Sequence, residues 1–159
     1  MWSKKAFKYS QVYLIFLSQI KKFKCLETTI IYIDMSHNRK LYILACYAPT
    51  GQSSDFGYEF NQIFSLLKLD DINNFYILAG DLNARHTSWE NPMNNNRGTL
   101  LNRFIEENEI DIGFRFYHSS TPSYSRGNSL IDLCFADARI NVETLPNINF
   151  DNKIPVLPY

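Results

Sequence analysis

A sheet is forced on this chain by five short runs rich in β-branched and aromatic residues, at 28–33, 41–47, 75–79, 110–116 and 130–135. Such side chains pack best on a pleated surface and are stiff at χ1, so each run is expected to be a strand. Asp34-Met35-Ser36-His37-Asn38-Arg39-Lys40 separates the first two runs. That polar turn chemistry predicts an antiparallel hairpin, with His37 on its exposed turn. Two other stretches follow the helical period. Phe56, Phe60, Ile63, Phe64 and Leu67 fall on one face, after Ser53, Ser54 and Asp55 as candidate N-caps. Leu100, Leu101, Phe104 and Ile105 form a second stripe after Thr99, with Glu106, Glu107 and Glu109 turned to water. The order strand, strand, helix, strand, helix, strand, strand predicts one layered α/β domain whose sheets are covered by helices.

A chain of 159 residues, 45% hydrophobic and with only 6 Gly and 6 Pro, is neither disordered nor fibrous. Its zero formal charge hides an asymmetry. Lys4, Lys5, Lys8, Lys21, Lys22 and Lys24 all precede the first acid, Glu27. That basic start is a solvated surface or a stretch able to track a phosphate backbone. Cys25, Cys46 and Cys134 are odd in number, widely spaced and set among apolar neighbours, which argues against a disulfide framework and for buried thiols in an intracellular, reducing compartment. The apolar run 12–17 is far too short to span a bilayer, so no membrane partner is expected.

The chemistry-bearing residues stand at strand ends. The apolar run 75–79 passes into Gly80-Asp81-Leu82-Asn83-Ala84-Arg85-His86, which delivers two oxygen-bearing side chains where a sheet meets a ligand. Tyr47-Ala48-Pro49 closes another run, and Ser129-Leu130-Ile131-Asp132 opens a third. Polar groups on the ends of apolar strands need partners or water.

Those three segments, in that order, resemble the endonuclease/exonuclease/phosphatase superfamily. The longer string from Ala79 to Trp89, with Asn96-Arg97-Gly98 before Leu100-Leu101 and with Thr121-Pro122-Ser123-Tyr124, resembles the apurinic-endonuclease-like domain of non-LTR retrotransposons. The resemblance covers about residues 25 to 157. It divides the chain into a basic non-matching segment, 1–24, and a partial endonuclease domain, 25–159. It implies an α/β (α+β) fold: a four-layer sandwich of two mostly antiparallel sheets between helices, here with N-terminal strands missing. It also implies magnesium-dependent hydrolysis of DNA phosphodiester bonds, a DNA partner and a reverse transcriptase in the parent element. By that resemblance Asp81 activates the attacking water, Asn83 positions it and steadies phosphoryl charge, Tyr47 contacts the phosphate, and Asp132 holds a histidine. His86, Trp89, Ser129 and Arg97 would be DNA-facing or structural.

The resemblance also implies groups that this sequence lacks. The family's metal-binding glutamate has no counterpart, because no acid precedes Glu27 and Glu27 enters the hairpin strand as a solvent-facing residue. The family's closing Ser-Asp-His segment reads Asp151-Asn152-Lys153 here, so Asn152 and Lys153 occupy the acidic and histidine positions. Neither substitutes: an amide balances no cation, and an ammonium accepts no proton near neutrality. The expectation is therefore an inactive endonuclease domain with no metal site retained and with Lys153 ion-paired to Asp132. A non-catalytic nucleic-acid-binding remnant, or a working phosphodiesterase completed by further sequence, are the alternatives. The truncated sheet is expected to expose an apolar edge that the strand-like run 12–17 covers.

Overall fold

The computed structural model describes residues 12–16, 23–51, 54–119, 122 and 129–141. Six strands, β1 (Val12–Phe16), β2 (Glu27–Met35), β3 (Arg39–Tyr47), β4 (Asn74–Asp81), β5 (Phe114–His118) and β6 (Asp132–Asp137), form one sheet in the order β1-β2-β3-β4-β6-β5. Helix α1 (Phe56–Leu67) connects β3 to β4, which are the parallel pair, and helix α2 (Asn96–Asn108) follows β4. All other strand pairs are antiparallel. The mixed α/β class is as expected. Among the described residues there is one sheet with its helices, and the second sheet of the sandwich is not among them.

Alternation along the strands assigns the faces. Tyr42, Leu44 and Cys46 of β3 are buried while Ile43, Ala45 and Tyr47 are exposed. Register carries the buried set sideways to Ile30 on β2, to Tyr76 and Leu78 on β4, and to Leu133 and Phe135 on β6. The helices lie on this face. Phe60 of α1 meets Phe104 of α2 edge-on at 5.0 Å and Phe135 at 5.3 Å, and Phe64 meets Tyr76 at 5.4 Å. Interlocked rings of this kind add about 1 kcal/mol per pair beyond simple burial.

Turn chemistry sets the boundaries. Residues 36–38 alone join β2 to β3, with His37 and Asn38 both at positive φ and His37 exposed, so the hairpin is tighter than the seven polar residues suggested. Asn95 caps α2 by accepting the Gly98 N–H, one turn earlier than the apolar stripe indicates. Asp55 occupies the cap position of α1 without a side-chain bond. The expected strand over 110–116 is corrected: 109–113 is a π-helical turn continuing α2, and the strand begins at Phe114. Alternate apolar residues in so short a run do not distinguish helix from strand, and Gly113, at φ 67°, makes the switch. The run 130–135 is likewise shifted, because β6 spans Asp132–Asp137 while Leu130 and Ile131 lead into it buried.

β1 pairs antiparallel with β2 from Val12↔Ile33 to Phe16↔Thr29, so part of the basic N-terminal segment covers that edge, as expected. Just upstream of β2, buried Glu59 of α1 accepts the N–H groups of Lys24 at 2.6 Å and Cys25 at 2.7 Å. Two main-chain donors that would otherwise be orphaned there are satisfied by one carboxylate.

Candidate functional site

Register brings the expected residues together. Tyr47 ends β3, Asp81 ends β4 and Asp132 begins β6, and they are neighbours across the sheet: Tyr47↔Asp81 and Asp81↔Asp132. The three form one row at the carboxyl ends of the parallel strands, on the face opposite the helices. With neighbouring strands about 4.8 Å apart, the row spans about 10 Å between its outer backbones, the scale of a nucleotide's phosphate and sugar. Glu27 extends the row on β2, paired with Tyr47 and exposed, as expected of a solvent-facing residue.

A frame of hydrogen bonds holds the loops behind this row. Gly80, at φ 154°, lies so close to β3 that a Cβ would come within 1.8 Å of the Cys46 carbonyl oxygen, so no other residue fits. The Ala48 N–H donates to the Asp81 carbonyl at 2.8 Å, fastening the Tyr47-Ala48-Pro49 exit to the end of β4. Asn83 takes the left-handed conformation at φ 47°, and its N–H donates to Asp81 Oδ1 at 2.9 Å, which makes Asp-x-Asn an Asx turn. The Asn83 side-chain amide donates to the Ala48 carbonyl at 2.9 Å.

Arg97, 5% exposed on the first turn of α2, donates to that same carbonyl at 3.0 Å and to the Pro49 carbonyl. Its role in this frame is structural. Asn95 ties the frame to the helix: Oδ1 accepts the N–H groups of Arg85 at 3.0 Å and Gly98 at 2.7 Å, and Nδ2 donates to the Asn83 carbonyl at 2.8 Å.

Trp89 is buried against Phe116, 5.3 Å between rings, and His86 lies 5.2 Å from the same indole. The His86 Nδ1 accepts the Ser88 N–H at 3.2 Å. Trp89 is thus core, and the 3₁₀ turn Thr87–Trp89 is its mounting. Next to it, buried Asn91 makes a two-way bond with Leu130: Nδ2 donates to the carbonyl and Oδ1 accepts the N–H, each at 3.0 Å. This clamp, with the Leu82 N–H donating to the Ile131 carbonyl at 3.1 Å, sets buried Ser129 and the approach to Asp132. Asn91 and Asn95 were not singled out from sequence. The signal for Asn95 is an asparagine three residues before Gly98 at the start of an apolar stripe, the spacing of an N-cap.

Burial raises the pKa of Asp81 from its ordinary value. Its Asn83 N–H pulls the other way, neighbouring Asp132 pushes it further up, and Arg97 pulls it down. Two carboxylates directly opposed on antiparallel strands repel, which is the push that Asp132 adds at Asp81. Among the described residues no three His, Cys, Asp or Glu side chains group to hold a metal ion. Asn152 and Lys153, the ion pair expected between Lys153 and Asp132, and Thr121, Ser123 and Tyr124 lie outside the described residues.

An α/β layer whose strand ends present a Tyr-Asp-Asp row behind a Gly-Asp-x-Asn turn is a protein of the endonuclease/exonuclease/phosphatase fold. A family model described as endonuclease-reverse transcriptase matches residues 41–153. The chain belongs to that family. It resembles the solved endonuclease domain of TRAS1, a telomere-specific non-LTR retrotransposon, with a TM-score of 0.56 and 16% identity over 78% of this chain and 53% of that one. Matches of TM-score 0.47 and 0.46 are to a humanized D. rerio TDP2 (14% identity; 80% and 50% covered) and to the cytolethal distending toxin of Actinobacillus actinomycetemcomitans (12%; 84% and 46%). The chain spans about half the length of these structures. No curated protein matches it. Among the described residues no helix is long and apolar enough to cross a membrane.

Proposed function

We propose that this chain is a retroelement endonuclease domain that binds the DNA backbone at the strand-end row, and that residues 1–159 by themselves do not cleave it. The observation that carries this is the row itself: Tyr47, Asp81 and Asp132 adjacent on three strands at one end of the sheet. In that role the Tyr47 phenol, 46% exposed, donates to a phosphoryl oxygen. Asp81, held by the Asn83 N–H with its pKa raised, is a stronger proton acceptor than an ordinary surface carboxylate and orients water towards the phosphorus. Asn83 keeps the Tyr47 loop against Asp81 through Ala48.

The chemistry stops short of turnover for a stated reason. Asp132 stands where a histidine partner is needed, and the sequence supplies Lys153 at that position. Magnesium belongs to the family's chemistry, and among the described residues no three His, Cys, Asp or Glu side chains group to hold an ion. Each preorganised electrostatic group is worth about 3 kcal/mol at a transition state, so losing two costs about four orders of magnitude or more. A reverse transcriptase in the parent element and an intracellular, reducing compartment complete the proposal. The test is a nicking assay on supercoiled plasmid with magnesium. Conversion no faster than that of Asp81→Ala is expected, and cleavage that Asp81→Ala abolishes would refute the proposed inactivity.

A further inference from the structure

A cavity of about 320 Å³ opens beside the row, and its wall is unusual in charge. It is lined by the amides of Asn83, Asn95 and Asn96, the hydroxyl-bearing Thr50, and two arginines, Arg85 and Arg97, with no carboxylate in the lining. Most of these groups are engaged. Arg97 holds the Ala48 and Pro49 carbonyls, Asn95 makes three bonds within the frame, and the Asn83 amide holds Ala48. Arg85 differs. Its backbone is locked on both sides, the N–H donating to Asn95 Oδ1 and the carbonyl accepting the Asn95 N–H, each at 3.0 Å. Gly98 packs so tightly on that carbonyl that a Cβ would fall 1.7 Å from its oxygen. The Arg85 guanidinium itself has no hydrogen-bond or ion-pair partner among the described residues.

We propose that Arg85 is a DNA-contacting residue whose guanidinium holds a backbone phosphate in the cavity next to the Tyr47–Asp81–Asp132 row. This rests on the nucleic-acid function proposed above and adds the residue that anchors the strand. A guanidinium stays charged at every physiological pH and meets a phosphate through two parallel N–H bonds. Arg97 is compensated by the Ala48 and Pro49 carbonyls and by Asp81 nearby, which leaves the Arg85 charge as the one in the lining that a bound anion would balance. The locked backbone lowers the ordering cost of that contact, because only the side chain must be fixed on binding. Asn83, whose N–H donates to Asp81, lines the same cavity as Arg85, so a phosphate held there lies beside the row.

The test measures binding of a fluorescein-labelled DNA duplex to the 159-residue chain by anisotropy across a salt series. Arg85→Ala is expected to bind about tenfold more weakly at low salt, with the slope of log affinity against log salt reduced by about one. Arg85→Lys is expected to recover the slope and not the full affinity, because a point charge replaces the fork. Equal melting temperatures for the three proteins establish that folding is not the cause. Affinity and slope unchanged in Arg85→Ala, with the parent still binding DNA, would overturn the inference and leave the proposed function standing. A parent that shows no salt-dependent DNA binding would overturn the proposed function, and this inference with it. Inorganic phosphate at matched ionic strength is expected not to displace the duplex, and displacement at millimolar phosphate would assign the cavity to the free anion instead.

Discussion

Asn95→Ala is the substitution that most directly tests how the site is held. One side chain makes three bonds: it accepts from the N–H groups of Arg85 at 3.0 Å and Gly98 at 2.7 Å, and donates to the Asn83 carbonyl at 2.8 Å. Losing the helix cap costs about 1 kcal/mol. The Arg85 donor and the Asn83 acceptor are both part-buried, and leaving each without a partner costs about 1 kcal/mol more. The expected loss is therefore about 3 kcal/mol, a large share of the roughly 5–15 kcal/mol that keeps an ordinary domain folded. Urea unfolding monitored by circular dichroism measures it directly. Asn95→Asp supplies the comparison, because a carboxylate still accepts both N–H groups and suits the N-terminus of α2, while its other oxygen replaces the donor to the Asn83 carbonyl and repels it. Its cost should lie below that of Asn95→Ala. If Asn95→Ala lies within about 1 kcal/mol of the parent, or if Asn95→Asp costs as much as Asn95→Ala, Asn95 is not the joint between helix and site.

Asp81 supplies a pH prediction. Burial, with Asp132 adding to it, raises its carboxyl pKa in the folded state, so folding favours the protonated form: that contribution is complete below the ordinary carboxylate range and is lost as pH rises through the raised value. Asp81→Asn, which keeps an acceptor for the Asn83 N–H, should therefore melt at least as high as the parent at neutral pH, with the difference shrinking on acidification. A difference that grows towards acid pH would contradict this. The cysteines supply another. Burial pushes the Cys46 thiol up to about 12 and the Cys134 thiol up to about 11, so neither presents appreciable thiolate near neutrality. Mild iodoacetamide treatment should leave both unmodified in the folded protein and label all 3 cysteines in urea, and rapid native labelling of either one would show that its burial is wrong.

How far the sequence reached depends on whether a residue's role is local. The strands, the hairpin and the aromatic faces of α1 and α2 follow from periodicity, because burial on one side of a strand or helix leaves a repeat that can be counted. The convergence of Tyr47, Asp81 and Asp132 follows only through resemblance, since register between β3, β4 and β6 is a long-range property absent from any single segment. Residues 109–113 escaped because apolar residues spaced by two fit a strand and the end of a helix equally well. Asn91 escaped for another reason: its partner, Leu130, is 39 positions away, and an asparagine beside a proline looks like any turn. Arg85 carries no signal beyond its charge, and only the crowding of Gly98 and Asn95 around its backbone sets it apart.

The motif that marks this family does two jobs, and the structure separates them. Gly80 has no Cβ because β3 leaves no room for one, Asn83 ties the Tyr47 loop to the end of β4, and Arg97 joins Asn83 on the Ala48 carbonyl and satisfies that of Pro49. Each of these would be needed for folding if the protein never met a phosphate ester. By contrast, the pairing of Asp81 with Asp132 across β4 and β6 sets two carboxylates side by side, which folding alone would not favour. A string such as Gly-Asp-Leu-Asn therefore testifies to the architecture of the strand ends more strongly than to catalysis. For the same reason, the test of activity rests on Asp81, which is the member of that string whose burial folding alone would avoid.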